Sequence, residues 1–266
     1  MTTALQMKMA LADLRDGLRH VELWGMLGWH DIRQRYRRSI LGPWWLTLST
    51  AIMVTALGFV YHAILRMPLE QYLPFLASGL VTWTLLSTII NDSCQVFILS
   101  EQVIRQIRLP FTIHVCRLVW RNVIIFLHNL LIVIVIVAIF GGAARLEAVP
   151  LAAAALVAVA VNGVWVGLLL GAFCARFRDI PQIVTSMVQL FFFITPVIWH
   201  PSVLPGQQRV ITYNPFHHFV EIMRAPLLGA APPAASWLAV LAITLLGWAA
   251  TIAFMTRYRR RFAYWL

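Results

Sequence analysis

Arg35–Trp45 reads RYRRSILGPWW, and the rest of the chain is organised around it. Four arginines, Arg33, Arg35, Arg37 and Arg38, fall within six residues, Gly42-Pro43 interrupts the backbone, and Trp44-Trp45 open a long apolar run. Arginine keeps its charge and favours anionic headgroups, while tryptophan rings settle between headgroup and hydrocarbon. Proline is tolerated in the first turn of a helix but not in its interior, so Gly-Pro ends one helix and starts another. From Pro43 to Leu65, 23 residues pass without a charge. At ~1.5 Å per residue that crosses a hydrocarbon core of ~30 Å. Arg35, Arg37, Arg38 and Trp45 are therefore the expected membrane anchors.

The whole chain fits that reading. Its 266 residues are 61% hydrophobic and 12% charged, whereas soluble domains carry roughly 25% charged residues. The composition is that of an all-α integral membrane protein. The net charge of +11 needs no nucleic acid to explain it. Seven of the 21 Lys+Arg precede residue 42, four lie in Arg105–Arg121, two are Arg176 and Arg178, and four lie in Arg257–Arg261. These 17 fall on one face, leaving Arg66, Arg145, Arg209 and Arg224 for the other. By the positive-inside rule, both termini are expected to be cytoplasmic. Cys94, Cys116 and Cys174 are odd in number and suggest no disulfide framework. The amino terminus lacks the apolar core of a signal peptide.

Six spans are expected, at Pro43–Leu65, Leu73–Cys94, Leu118–Phe140, Leu151–Phe173, Pro181–Trp199 and Trp237–Met255, with the last closed by Arg257–Arg261. Before them, Leu11, Leu14, Leu18, Val21, Trp24 and Leu27 recur at helical spacing while Asp13, Arg15, Asp16, Arg19 and Glu22 take other faces. That pattern predicts one amphipathic helix flat on the membrane surface, with burial against a partner as the alternative. Residues 1–42 thus form an interface unit and 43–266 the transmembrane domain. Asp92, beside Asn91 and Ser93, reads as a hydrogen-bonded structural acid, and His128 as a hydrogen-bonded interior residue. Ser100-Glu101-Gln102 is a helix-start pattern, with Arg105 and Arg108 in the last turns before Pro110. Such a short helix offers a docking surface for a partner or is a packed loop. Gly163, Gly167 and Gly171 form a close-packing seam, expected within the subunit. Pro181 suits a first turn, and Pro196 is expected to bend or end its helix. Tyr213–Gly229, YNPFHHFVEIMRAPLLG, predicts outer re-entrant half-helices between spans five and six, begun at Asn214-Pro215. His200, His217 and His218 lack metal-site spacing and read as polar lining.

No nucleotide-binding loop is present: the single lysine, Lys8, lies outside any GxxxxGK[ST] frame. The ten acids form no DxD or HExxH motif and there is no GxSxG elbow. Any ATPase must be another chain, and a membrane enzyme acting on a lipid-linked sugar would need a catalytic cluster that the sequence does not display.

The order of these parts, with RxxxLGPxW ending at Trp45, RDIPQ at Arg178–Gln182 and NPF at Asn214–Phe216, resembles the membrane subunit of ABC-2-type exporters of lipid-linked polysaccharide, above all the O-antigen permeases. The resemblance covers nearly the whole chain. It implies a homodimer pairing with two copies of an ATPase subunit, which binds ATP and Mg; this chain is implied to be a transport subunit without a cofactor or metal of its own. The implied cargo is a polymer on an undecaprenyl-diphosphate anchor, moved across a bacterial inner membrane from cytoplasm to periplasm. Capsule, teichoic acid or a small hydrophobic compound are the alternative cargoes. It further implies that Glu101, Arg105 and Arg108 form a coupling helix, joined by Arg178 and Asp179, and that spans one and five border the channel. Sugar C–H faces stack on rings, so Trp44, Phe59, Tyr61, Phe191, Phe192, Phe193 and Trp199 are candidates for the path. Interfacial or lipid-facing packing is the alternative for each.

Overall fold

The computed structural model describes residues 3–35, 37, 42, 44–107, 109–140, 148–201 and 208–265; Arg38 and Arg108 lie outside them. The described residues form helices and turns, with no strand. In chain order these are α1 (Thr3–Arg19), α2 (Val21–Arg35), α3 (Trp44–Leu65), α4 (Leu69–Leu99), α5 (Glu101–Gln106), α6 (Phe111–Phe140), α7 (Val149–Arg176), α8 (Ile180–Ile194), α9 (Gln208–Tyr213), α10 (Pro215–Leu227) and α11 (Ala234–Trp265). Five of the described helices, α3, α4, α6, α7 and most of α11, are long and apolar enough to cross a membrane.

α4 is the centre of the bundle. It packs against α3, α6, α7, α8 and α10. Tyr72, Leu76, Ala77 and Phe97 are fully covered along its length. The glycine seam of α7 makes this possible. Gly163 faces Ile89 and Val119, Gly167 faces Val115 and Ser93, and a Cβ on Gly171 would sit 2.6 Å from the Phe97 ring. The seam is therefore spent inside the subunit, on α4 and α6, as expected from its spacing.

The amino-terminal region departs from expectation. Two helices replace the single amphipathic one, broken at His20, whose Nδ1 lies 2.5 Å from the Asp16 carbonyl. Nor do the acids all point outward. Asp13 is 2% exposed: its carboxylate accepts from the backbone N–H groups of Phe111 and Thr112 and from the Thr112 hydroxyl, and meets Arg259 at 3.0 Å. A carboxylate there satisfies the free N–H groups of α6 and complements the positive end of its dipole. Leu11, Leu18 and Val21 of the expected apolar stripe remain exposed instead.

Helix ends also differ from span ends. α11 continues through the arginine cluster to Trp265, because Phe262 is buried between Phe97 and Phe111, each ring 4.7 Å away. α6 begins at Phe111 rather than Leu118, and α4 runs on to Leu99. Arginine is a good helix former, so leaving the hydrocarbon does not end a helix. The fifth expected span is a 15-residue helix, Ile180–Ile194, with Pro181 in its first turn. It rises about 22 Å, short of the ~30 Å core. It ends just before Pro196, and residues 195–199 continue without helix.

Candidate coupling and transport site

Three regions bring the expected residues onto one scaffold. At the basic end, α5 follows directly from α4 through Ser100. None of its described residues is buried. Glu101 and Arg105 pair across one turn at 2.8 Å, an exposed contact worth about 0.5 kcal/mol at most. The helix is shorter than Glu101–Arg108, stopping at Gln106, and Ser100 makes no side-chain capping bond, contrary to its helix-start pattern. Arg178 and Asp179 are exposed in the turn between α7 and α8. Gly171 packs on Val96 and Phe97, so this turn and α5 emerge from the same end of the bundle. Asp179 precedes α8 without capping it through its side chain.

Behind α5 lies a polar cavity of about 330 Å³ between α2, α4 and α6, reached by Asp31, Asp92, Ser100, His114, Arg117 and Arg121. Arg117 grips the Asp31 carboxylate through Nε at 2.7 Å and through its terminal nitrogen. Arg121 lies 2.6 Å from Asp92 and 3.7 Å from Asp31, bridging α4 to α2. Asn122 adds a 3.0 Å bond to Asp92. Asp92 is thus the hydrogen-bonded structural acid its neighbours suggested. Asp31 carries no sequence signal and Asp13 only that of a polar helix face: their partners are 86 and 98 or more residues away.

At the opposite end, three side chains hold the break after α8. Tyr72 donates to the Ile198 carbonyl at 2.7 Å, Arg224 to that of Pro196 at 2.9 Å, and the Asn214 amide to the Thr195 hydroxyl at 2.9 Å. Asn214 also caps α10, accepting from the Phe216 N–H, as its position before proline predicted. Arg224 is 3% exposed, its guanidinium carbon 3.8 Å from the Phe75 ring centre and its terminal nitrogen against Gly79, where no larger side chain fits. His218 donates from Nε2 to the Thr212 carbonyl and accepts from Ser236 at Nδ1. Among the described residues no group of three or more His, Cys, Asp or Glu is placed to hold a metal.

The aromatic candidates divide. Phe191 packs on Phe216 and Phe192 on Trp83, with ring centres 4.9 and 5.5 Å apart. Trp199 donates to the Phe193 carbonyl at 3.0 Å. Trp83 and Phe216, absent from the candidate set, complete this cluster. Phe193 and Phe59 point outward, 65% and 58% exposed. Tyr61 is half-buried against the α4 core. Trp44 meets the ring of His128 edge-on, while His128 Nδ1 donates to the Ile124 carbonyl at 2.8 Å. Of the expected anchors, Trp45 and Arg37 are exposed and Arg35 closes α2.

A helical bundle with a glycine seam, a short exposed helix between its second and third spans and a proline-broken α8 is a pattern that can be compared with known proteins. The family described as ABC-2 type transporter matches residues 22–228, well over half of the sequence. The chain belongs to the ABC-2 type transporter family. It is 24% identical over 189 residues to the O-antigen export system permease protein RfbA of Klebsiella pneumoniae, covering 70% of this chain and 72% of that protein. A second Klebsiella pneumoniae protein of that name is 23% identical over the same share. RfbA of Myxococcus xanthus is 24% identical over 238 residues, 88% of this chain and 91% of its own. In this ABC-2 chain the matched stretch begins in α2 and ends just after α10, so it takes in α5, the broken α8 and the NPF start of α10.

Proposed function

We propose that this chain is the channel-forming subunit of an ATP-driven exporter that moves undecaprenyl-diphosphate-linked polysaccharide of the O-antigen type from cytoplasm to periplasm. Two copies pair with each other and with two copies of a separate ATPase, which holds ATP and Mg, in a bacterial inner membrane. The names of the relatives support the cargo class, and the family supports the ATPase. The basic end faces the cytoplasm, with both termini there, in keeping with the 17 of 21 basic residues assigned to it. α8 makes the sixth crossing, extended by residues 195–199, and α9 and α10 dip into the outer leaflet as half-helices, of which α10 is largely buried against its neighbours. Trp44, Phe59, Tyr61, Phe191, Phe192, Phe193 and Trp199 border the sugar path.

One observation carries the reading: no residue of α5 is buried, yet it continues from α4, the most buried of the candidate spans. A push on α5 is delivered straight to the centre of the bundle. Glu101, Arg105, Arg108, Arg178 and Asp179 are the contacts to the ATPase. Reversing Glu101 and Arg105 together (E101R/R105E) leaves membrane yield unchanged and lowers ATPase association about tenfold, measured by co-purification. Lipid-linked polysaccharide then accumulates inside the cell. Unchanged association with normal export would remove the coupling role.

A further inference from the structure

A second site is lined by no residue of α3 or α8. An apolar groove of about 430 Å³ runs between α6 and α7 and is closed at the basic end by α1 and α2. Its floor is buried, at Val119 and Val123, and its rim is exposed, at Trp120, Leu127 and Val161. Leu18 of α1 closes it. The volume falls within the roughly 300–1,000 Å³ of small-molecule sites. The lining is apolar apart from the Cys116 thiol and the edges of two indoles, Trp24 and Trp120, which meet edge-on with ring centres 5.9 Å apart.

Depth and length point to the occupant. A tryptophan pair marks the boundary between headgroups and hydrocarbon. From that pair the groove follows α6 from Trp120 to Leu127 and α7 from Val164 to Leu156, about 10 to 12 Å of helix rise. One leaflet of a ~30 Å core is about 15 Å deep, so the groove accommodates most of one chain of one leaflet and stops there. Outside the closed end, Arg15 lies one turn before Leu18 and Arg19 directly after it, both exposed and neither in an ion pair among the described residues. Two exposed guanidiniums outside any ion pair, with Asp16 between them in sequence, are complementary to a phosphate with a tail when they lie at headgroup level by an apolar slot.

We propose that this groove binds one acyl chain of an anionic glycerophospholipid of the basic-side leaflet, with its phosphate over Arg15 and Arg19. The proposal rests on the membrane embedding of the bundle, and on no step of transport. The site is a lipid seat that fixes α1 and α2 against α6 and α7, separate from any path along α3 and α8.

The test uses the full-length chain in nanodiscs carrying a phosphatidylglycerol with a photoactivatable acyl chain, and a phosphatidylcholine analogue in a parallel arm. Labelled peptides map to residues 119–127 and 156–164 with the first probe. Filling the groove by Ala160→Trp lowers that labelling at least tenfold. Should this variant fail to accumulate, Val161→Trp, on the exposed rim, serves instead. R15Q/R19Q lowers phosphatidylglycerol labelling at least threefold and brings it to the level seen with phosphatidylcholine. Equal labelling of the wild type by both probes, undiminished labelling in the filled groove, or displacement of the probe by stoichiometric polyprenyl phosphate would each overturn the proposal. Lipid labelling is read without cargo or ATPase, so failure of the exporter reading leaves this result standing, and the reverse.

Discussion

α3 and α4 are nearly equal in mean hydropathy, 1.8 and 1.7, yet 11% of the apolar stretch of the first is buried within the chain and 72% of that of the second. Hydropathy measures what a helix can leave in hydrocarbon, and both pass. What separates them is the polar and small residues at which neighbours meet. α4 carries Tyr72, Gly79 and Asp92, each engaged by another element. α3 offers chiefly Gly58 against Leu73. The apolar outer face of α3, with Ile52, Phe59 and Ile64 more than half exposed, is left for lipid, for the proposed second copy or for cargo.

If burial and partners, rather than apolarity, set the cost of a change, the largest effect lies in a helix that is not apolar at all. Asp13→Ala in α1 leaves Arg259 and the start of α6 without their acceptor. We expect about 3 kcal/mol of lost stability, read as a lower thermal midpoint in detergent. A change below 1 kcal/mol would break the comparison at its strongest point. Next comes Gly171→Leu, which drives side-chain atoms into Phe97 of α4. Overpacking costs about 1–3 kcal/mol, seen as a sharp fall in monodisperse protein. Tyr72→Phe removes one hydroxyl from the Ile198 carbonyl, about 1 kcal/mol, and loosens the turn after α8, measurable as faster proteolysis at 195–199. The smallest expected effect on stability is Phe59→Ala in α3, within about 0.5 kcal/mol. It sharpens the contrast, because export falls while the melting curve stays put if Phe59 borders the sugar path. A matching loss of stability would instead place α3 in the core.

The same contrast explains what the sequence revealed. Charge runs, apolar stretches, Gly42-Pro43, Pro181 and Asn214-Pro215 act over a few residues, and five of the expected spans and the start of α10 follow from them; Gly42 adopts a positive φ of 54°. The glycine spacing on α7 predicted its close packing for the same reason. Asp13 was read as part of a solvated face because its partners, Thr112 and Arg259, are brought to it only by the finished bundle. Ser100 has the residue type of a cap, but its φ and ψ of −96° and 4° do not give the extended backbone that capping uses. Arg257–Arg261 mark where α11 leaves the hydrocarbon, while Phe262 decides that the helix continues.

The bond between Asp13 and Arg259 joins residues 246 positions apart, and this sets a schedule for biogenesis. At roughly 5–20 residues per second, a ribosome needs about 12 to 50 s to travel from one partner to the other. Partway through that interval the part of the seat offered by Phe111 and Thr112 of α6 is already made, and the Asp13 carboxylate then lacks only its cation. The seat of α1 begins on α6 and is completed by α11. A stall or a fusion that perturbs the last turns of α11 therefore leaves the buried Asp13 charge uncompensated although α1 has its partners on α6.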